Sequence, residues 1–327
     1  MHRSYCTIFN ALYALRGMAL HASLARHDPD FRLYVFAMDE LSATLMTGLG
    51  DPRVVVVRPP EFEDPALLAV KPTRSVAEYF WTCTPSIIRY CLRARGEFEC
   101  TYVDADIWLL ADPAPLFAEM GAASVLLTEH RFAPRHEQAA AHGRYCVQFM
   151  RFVASDDGLR ALEWWRERCL EWCFAHEEDG RFGDQKYLDD WPTRFPGVHV
   201  LQHLGGGLAP WNVTNWPLHR KGVQLVLSDA GREYAVIFYH FHGLRSYSPR
   251  LACYGYGYRL PRLAKKLIYV PYLRELMRLY RAHRPTLTGI AATGPAPASS
   301  SRARAALRWI KYAWGLPNTH LLAQDTD

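Results

Sequence analysis

No run of about eighteen apolar residues occurs in this 327-residue chain, so no membrane-spanning helix is expected. None of the eight cysteines (Cys6, Cys83, Cys91, Cys100, Cys146, Cys169, Cys173 and Cys253) stands in a CxxC pair or any other zinc-ligand spacing. They read as buried free thiols of a cytosolic protein. No internal repeat is visible, and the length suits one large domain or two smaller ones. Charged residues make up only 22%, against 50% hydrophobic and 13% aromatic, which excludes a disordered chain and fits a globular enzyme. Acids are scarce in one region: residues 259 to 312 hold twelve Lys or Arg and a single acid, Glu275. A mildly acidic body therefore carries a basic tail. The N-terminus has the apolar character of a signal peptide, but Asn10 and Arg16 interrupt it and YCTIF reads as a strand. The expected location is cytoplasmic.

What is present is an alternation of strands and helices. Apolar runs at CTIF, FRLYVFAMD, RVVVV, CTYVDADIWLL, ASVLLTEH and YCVQFMRFV predict six strands, with helical patterns between the earlier ones. SVAEYFWTCTPSIIRYCLRARG (75–96) contains a helix, and 155–180 reads as one long helix capped by Ser155 or Asp156. Further strands are expected at 198–203, 223–228 and 234–241. This order predicts an α/β fold: a mostly parallel central sheet with helices on both faces. It would occupy residues 1–250, followed by a basic helical extension (251–292), a linker (293–301) and a basic amphipathic segment (302–327).

Three stretches carry candidate chemistry. TYVDADIWLL (101–110) places Asp104 and Asp106 at the end of a strand, where ligands of parallel sheets collect. Residues two apart on a strand point the same way, and two carboxylates facing one crevice suit Mg²⁺ or Mn²⁺. A plain turn before Asp112-Pro113 is the competing reading. IFYHFHGL (237–244) ends another strand in His240 and His242, either of which can complete a Mn²⁺ site. DGRFGDQKYLDDW (179–191) presents Asp184-Gln185, either a helix cap or a pair that binds sugar hydroxyls or a reacting centre.

Together, and in this order, these motifs make the chain resemble the GT-A nucleotide-sugar glycosyltransferases, above all the retaining glycogenin-like and lipopolysaccharide galactosyltransferase-like group. The resemblance runs from Cys6 to Gly243. It implies a metal-dependent enzyme of hexosyltransferase type. Asp104, Asp106 and, through the His-Phe-x-Gly motif, His240 would hold Mn²⁺ or Mg²⁺. Phe9, Asn10 and Tyr13 would lie by the nucleotide base, Arg89 and Arg245 by the diphosphate, and Asp184 and Gln185 by the transferred sugar. The implied partners are a UDP-sugar donor and a glycan or glycolipid acceptor, in surface polysaccharide or lipopolysaccharide synthesis. Retention of configuration would need no dedicated base; inversion would call on Glu129, Asp184 or Asp189. Two departures stand out. Cys146-Val147-Gln148 replaces an Asn-x-Gly turn, and GLRSYSP replaces a Lys-Pro-Trp.

The segments 272–284 and 302–315 interleave Arg and Lys with Leu, Tyr and Trp at helical spacing. They suit either the anionic inner face of a membrane or a basic surface packed on the body. No nucleic-acid recognition motif accompanies the charge. Two rival functions are a haloacid dehalogenase-type phosphatase and a non-catalytic sugar-nucleotide-binding or glycan-binding protein. The first expects Thr or Val where Trp108 stands, and a motif on the first strand rather than the fourth.

Overall fold

Alternation along RSYCTIF sets the plan: from strand β1 (Arg3–Phe9), Tyr5 and Phe9 enter one core and Cys6 and Ile8 another. The structure, a computed structural model, describes residues 2–248, 251–253, 258–287 and 319–321. Seven strands form the central sheet: β1, β2 (Phe31–Ala37), β3 (Val54–Val57), β4 (Glu99–Val103), β6 (Val125–Glu129), β7 (Tyr145–Val153) and β8 (Val198–Val200). Their order is β3-β2-β1-β4-β7-β6-β8. Only β7 runs against the rest, pairing antiparallel with both β4 and β6. The sheet is thus mostly parallel, as the strand–helix alternation predicts. Strand order reverses between β1 and β4, and the crevice beyond their carboxyl ends is where such sheets bind ligands.

Helices cover both faces. Helix α1 (Ala14–His27) packs on one face. α3 (Val76–Arg89) and α4 (Asp156–Glu171) pack on the other, while α2 (Glu40–Thr47) lies beside β3. Their starts follow capping chemistry. Asp39 caps α2, Ser75 with Glu78 forms a capping box on α3, and Ser155 caps α4. α3 does not end cleanly but widens into a π turn over Tyr90–Ala94. The helix expected over 155–180 stops at Glu171. There Trp172 turns extended and its ring packs with Phe174 and His176, a cluster that a continuing helix would pull apart.

The strand expected at 234–241 is broken in two. β11 (Arg232–Ala235) closes a hairpin sheet with β9 (Leu218–Lys221) and β10 (Gln224–Asp229), while β12 (Phe238–His240) leaves to pair antiparallel with β5 (Ile107–Leu109). The break is held by Gly205, whose carbonyl accepts from Ile237 N–H at 2.9 Å. A Cβ on Gly205 would lie 1.7 Å from the Ala235 carbonyl oxygen, so no other residue fits this approach.

The basic extension is not a free tail. Helix α5 (Val270–His283) buries Tyr272, Leu273, Leu276 and Leu279 in the core it shares with α1, and leaves Arg274, Arg278, Arg281 and Arg284 exposed. Its apolar stripe, which suited a membrane surface in the sequence, is therefore covered by the body. A small antiparallel sheet joins β13 (Arg245–Ser248), β14 (Leu251–Cys253) and β15 (Thr319–Leu321). The linker at 293–301 lies outside the described residues, as does the segment 302–327 apart from β15. No helix among the described residues is long and apolar enough to cross a membrane.

Phe9, expected at the nucleotide base, instead turns its ring inward; it is 1% exposed and rests on Gly17 of α1. A Cβ at position 17 would lie 2.3 Å from Phe9 Cζ. Gly17→Ala gains about 1 kcal/mol of helix propensity but forces overpacking that costs about 1–3 kcal/mol. Net destabilisation is expected in a urea titration, and a stabilised variant would show that the Phe9 ring yields freely.

Candidate metal centre

The chain leaves β4 in a turn, not an extended strand. The Asp104 N–H donates to the Gln148 carbonyl on β7 (2.9 Å), and the Ile107 N–H closes back on the Asp104 carbonyl (3.0 Å). This corrects the expectation that strand alternation aims Asp104 and Asp106 together; the turn does so. β5 then runs out antiparallel to β12, with Ile107 opposite His240. The Phe241 N–H donates to the Asp106 carbonyl at 2.9 Å, locking the two segments at the site itself.

The result is a convergent donor set. His240 Nε2 lies 3.2 Å from Asp106 Oδ1 and 3.6 Å from Asp104 Oδ2. Side-chain exposure falls from 30% at Asp104 to 11% at Asp106 and 6% at His240, so Asp104 forms the open edge and His240 the floor. The other imidazole nitrogen, Nδ1, is 2.8 Å from Gln148 Oε1. An amide oxygen only accepts, so Nδ1 carries a proton and Nε2 is the atom turned toward the carboxylates. Gln148 is fully buried, and its amide nitrogen donates to Thr128 Oγ1 at 3.4 Å. Cys146-Val147-Gln148, which stands in place of an Asn-x-Gly turn, thus belongs to β7 and supplies the group that orients His240. Such partners of metal-ligating histidines fix ring orientation and basicity.

The charges balance locally. Burial works to raise the Asp106 pKa, but His240, Arg16 and His242 outweigh it and hold the carboxyl well below its usual range. Burial raises that of Asp104, opposed by His240 and by the Tyr102 hydroxyl, which donates to Asp104 Oδ1 at 2.8 Å. Burial works to lower the His240 pKa, but Asp106 and Asp104 together push it well above the ordinary value. His242 is kept neutral, pushed down to about 4 by burial and by the neighbouring His240. Its ring sits against Trp211 and Tyr258, outside the three-ligand group. Two carboxylate oxygens and one imidazole nitrogen fit a divalent cation of the Mn²⁺ kind, which accepts oxygen and nitrogen donors alike.

The remaining expected residues divide. Tyr13 stands exposed beyond the end of β1 with the Arg16 guanidinium 4.3 Å over its ring, close enough to feel both carboxylates. Asn10 is occupied locally, its side chain accepting from Leu12 N–H. Arg245 opens β13 directly after Leu244, whose carbonyl accepts from Arg16. Asp184 is buried, 5% exposed, beside the centre; burial first, then Asp104, raises its pKa well above the ordinary carboxylate value. Its Oδ2 has no hydrogen-bond partner among the described residues. Gln185 follows, donating to the His142 carbonyl at 3.1 Å.

Arg89 is not brought in. It pairs with Glu163 at 2.8 Å and lines a separate cavity of about 170 Å³ with Asp64, Arg93 and Arg166. The guanidinium that acts on Asp106 is that of Arg16, buried at 5% exposure, which the sequence reading passed over. One signal pointed to it: an arginine in the apolar pattern LYALRGMAL needs a partner wherever that helix is buried.

No family model matches the chain. Two proteins of Bacillus subtilis (strain 168) do. The uncharacterized protein YfnD is 32% identical over 279 residues, covering 84% of this chain and 88% of its own. YfnF is 34% identical over 253 residues, covering 75% and 82%. The chain belongs to the family of YfnD and YfnF. Its backbone is similar to that of galactosyltransferase LgtC, solved in complex with donor and acceptor sugar analogs: TM-score 0.55, 13% identity, 86% of this chain and 99% of that one. The apo form of glycosyltransferase GlyE from Streptococcus pneumoniae TIGR4 is similar at a TM-score of 0.50 and 12% identity, over 87% of this chain and 64% of that one. At such identities the likeness is one of fold, and the fold is GT-A.

Gln148→Leu keeps the volume but removes the acceptor for Nδ1. Mn²⁺ affinity, followed by loss of the free-ion signal in electron paramagnetic resonance, is expected to fall roughly 10–100-fold. Unchanged affinity would mean that His240 is held by packing alone.

Proposed function

We propose that the chain is a metal-dependent glycosyltransferase that moves a sugar from a nucleotide diphosphate, a UDP-sugar, to a hydroxyl of a glycan or glycolipid. The observation that carries this reading is the meeting of Asp104, Asp106 and His240 beyond the carboxyl end of β4. In this reading those three residues hold Mn²⁺ or Mg²⁺, which when bound neutralises the charge that grows on the leaving diphosphate. After His240, Arg16 helps hold Asp106 ionised, and Arg245, one residue past the Leu244 carbonyl that anchors Arg16, is the cation this reading assigns to the diphosphate. Tyr13 offers a ring to the nucleotide base at the open mouth.

The sugar would lie toward Asp184 and Gln185. Burial and Asp104 favour the protonated form of Asp184, and in this reading that form would donate a hydrogen bond to a sugar hydroxyl without adding charge beside Asp104. Glu129 is engaged by Arg144, and Asp189 by the Arg144 N–H and Lys186. Two of the three carboxylates that inversion would recruit are thus occupied, and burial and Asp104 raise the pKa of the third, Asp184, away from a ready base, which favours retention, with Gln185 beside the anomeric carbon. The galactosyl activity named for LgtC and the exposed basic face of α5 favour a hexosyl donor and an acceptor at an anionic surface, as in surface polysaccharide synthesis.

Calorimetric titration of a panel of nucleotide sugars, with and without Mn²⁺, tests this. One donor is expected to bind only with metal, and Asp104→Ala with Asp106→Ala is expected to abolish that binding. A folded wild-type protein that binds none of the panel would sink the transferase reading.

A further inference from the structure

In the core between the sheet and helices α3 and α4, a second set of ligand atoms converges. Cys6, Cys91 and Cys100 bring their sulfurs within 4.8 Å of one another, and all three are 0% exposed. They come from three separate elements: β1, the π turn after α3, and β4. The π turn is what delivers Cys91. Arg95 N–H reaches back five residues to the Tyr90 carbonyl at 3.1 Å, and Glu97 N–H reaches the Cys91 carbonyl at 3.1 Å. Such wide turns are rare and concentrate at functional positions.

The competing account is packing, since a buried free cysteine behaves as a small apolar side chain. That suffices for Cys83, which lies in the same core outside the group. It does not explain three sulfurs meeting at one point. Sulfurs around a common ion at about 2.3 Å would stand about 4 Å apart, and the observed triangle needs only a small contraction to reach that. Access exists as well. Residues Arg93, Ala94, Arg95 and Gly96 are exposed directly after the buried Cys91-Leu92, so opening one turn admits an ion while the sheet stays intact.

We infer that Cys6, Cys91 and Cys100 form a three-sulfur site for a soft monovalent metal ion, Cu(I). Thiolate sulfur selects soft ions. Structural zinc takes four ligands in nearly every case, and among the described residues no further His, Cys, Asp or Glu joins this group. Each sulfur that binds releases its S–H proton to solvent, so no redox step is involved. The site is independent of the carboxylate centre and of the transferase reading.

The test is anaerobic titration of the reduced full-length protein with Cu(I) in competition with bicinchoninate, followed by X-ray absorption of the complex. One equivalent is expected to be retained, with a shell of sulfur alone. Cys100→Ala should weaken retention at least roughly tenfold, while Cys146→Ala, beside His240 instead, should leave it unchanged. The inference is overturned if the chelator strips all the copper, if the shell contains nitrogen or oxygen, or if Cys100→Ala binds as wild type does. Because the wild-type sulfur shell needs no variant, a Cys100→Ala protein that fails to fold still leaves a decisive reading.

Discussion

The candidate centre depends on a short ladder. Ile107 pairs with His240, Trp108 with Tyr239 and Leu109 with Phe238, and no other strand joins this two-stranded unit among the described residues. Three pairs make a weak sheet, and an isolated hairpin of this size is at best marginal in water. Its stability comes from what is packed on it. Phe238 stacks on Phe149 of β7 at 4.9 Å, Tyr239 meets Tyr269, and Phe241 stacks on Tyr272 of α5 at 3.7 Å. The basic extension is thus a buttress for the candidate ligands, with its apolar stripe packed against the body beside them.

Two like charges beside one another in a buried crevice would repel, and the protein manages this by dividing the work. His240, Arg16 and His242 favour the ionised form of Asp106, while burial and Asp104 favour the protonated form of Asp184. A buried carboxylate is tolerable where cations and hydrogen bonds replace water. The Tyr102 hydroxyl on Asp104 Oδ1 leaves Oδ2 as the atom nearer His240. Among the described residues two buried polar atoms near the centre, Tyr272 Oη and Asp184 Oδ2, have no hydrogen-bond partner, and the second lies where the sugar reading places its ligand.

Much of this architecture was legible in the sequence because it is local. Strand period, caps such as Ser155 and Ser75-Glu78, and the apolar runs of β1, β4 and β7 announce themselves within a few residues. The aspartates and His240 were legible through their spacing in known motifs. What escaped depends on contacts distant in sequence. Nothing near Gln148 shows that its oxygen meets His240, and nothing near Arg89 shows that Glu163 will claim it. The split of 234–241 follows from Gly205, thirty residues upstream by number, and cannot be read from the apolar run itself. Cys6, Cys91 and Cys100 carry no sequence spacing at all, because two strands and a π turn place them together.

The order in which the ribosome delivers these pieces gives the β5–β12 ladder another meaning. Asp104 and Asp106 emerge early, with β1 to β4 already available to form half a sheet around them. A nascent chain that has not reached Phe238 has its carboxylates in place and no imidazole. One that has reached His240 but not Tyr272 lacks the ring that covers Phe241. On the proposed reading, cation binding through the full ligand set would therefore belong to the finished molecule, and a growing chain could not trap a metal in a half-built site through those three residues.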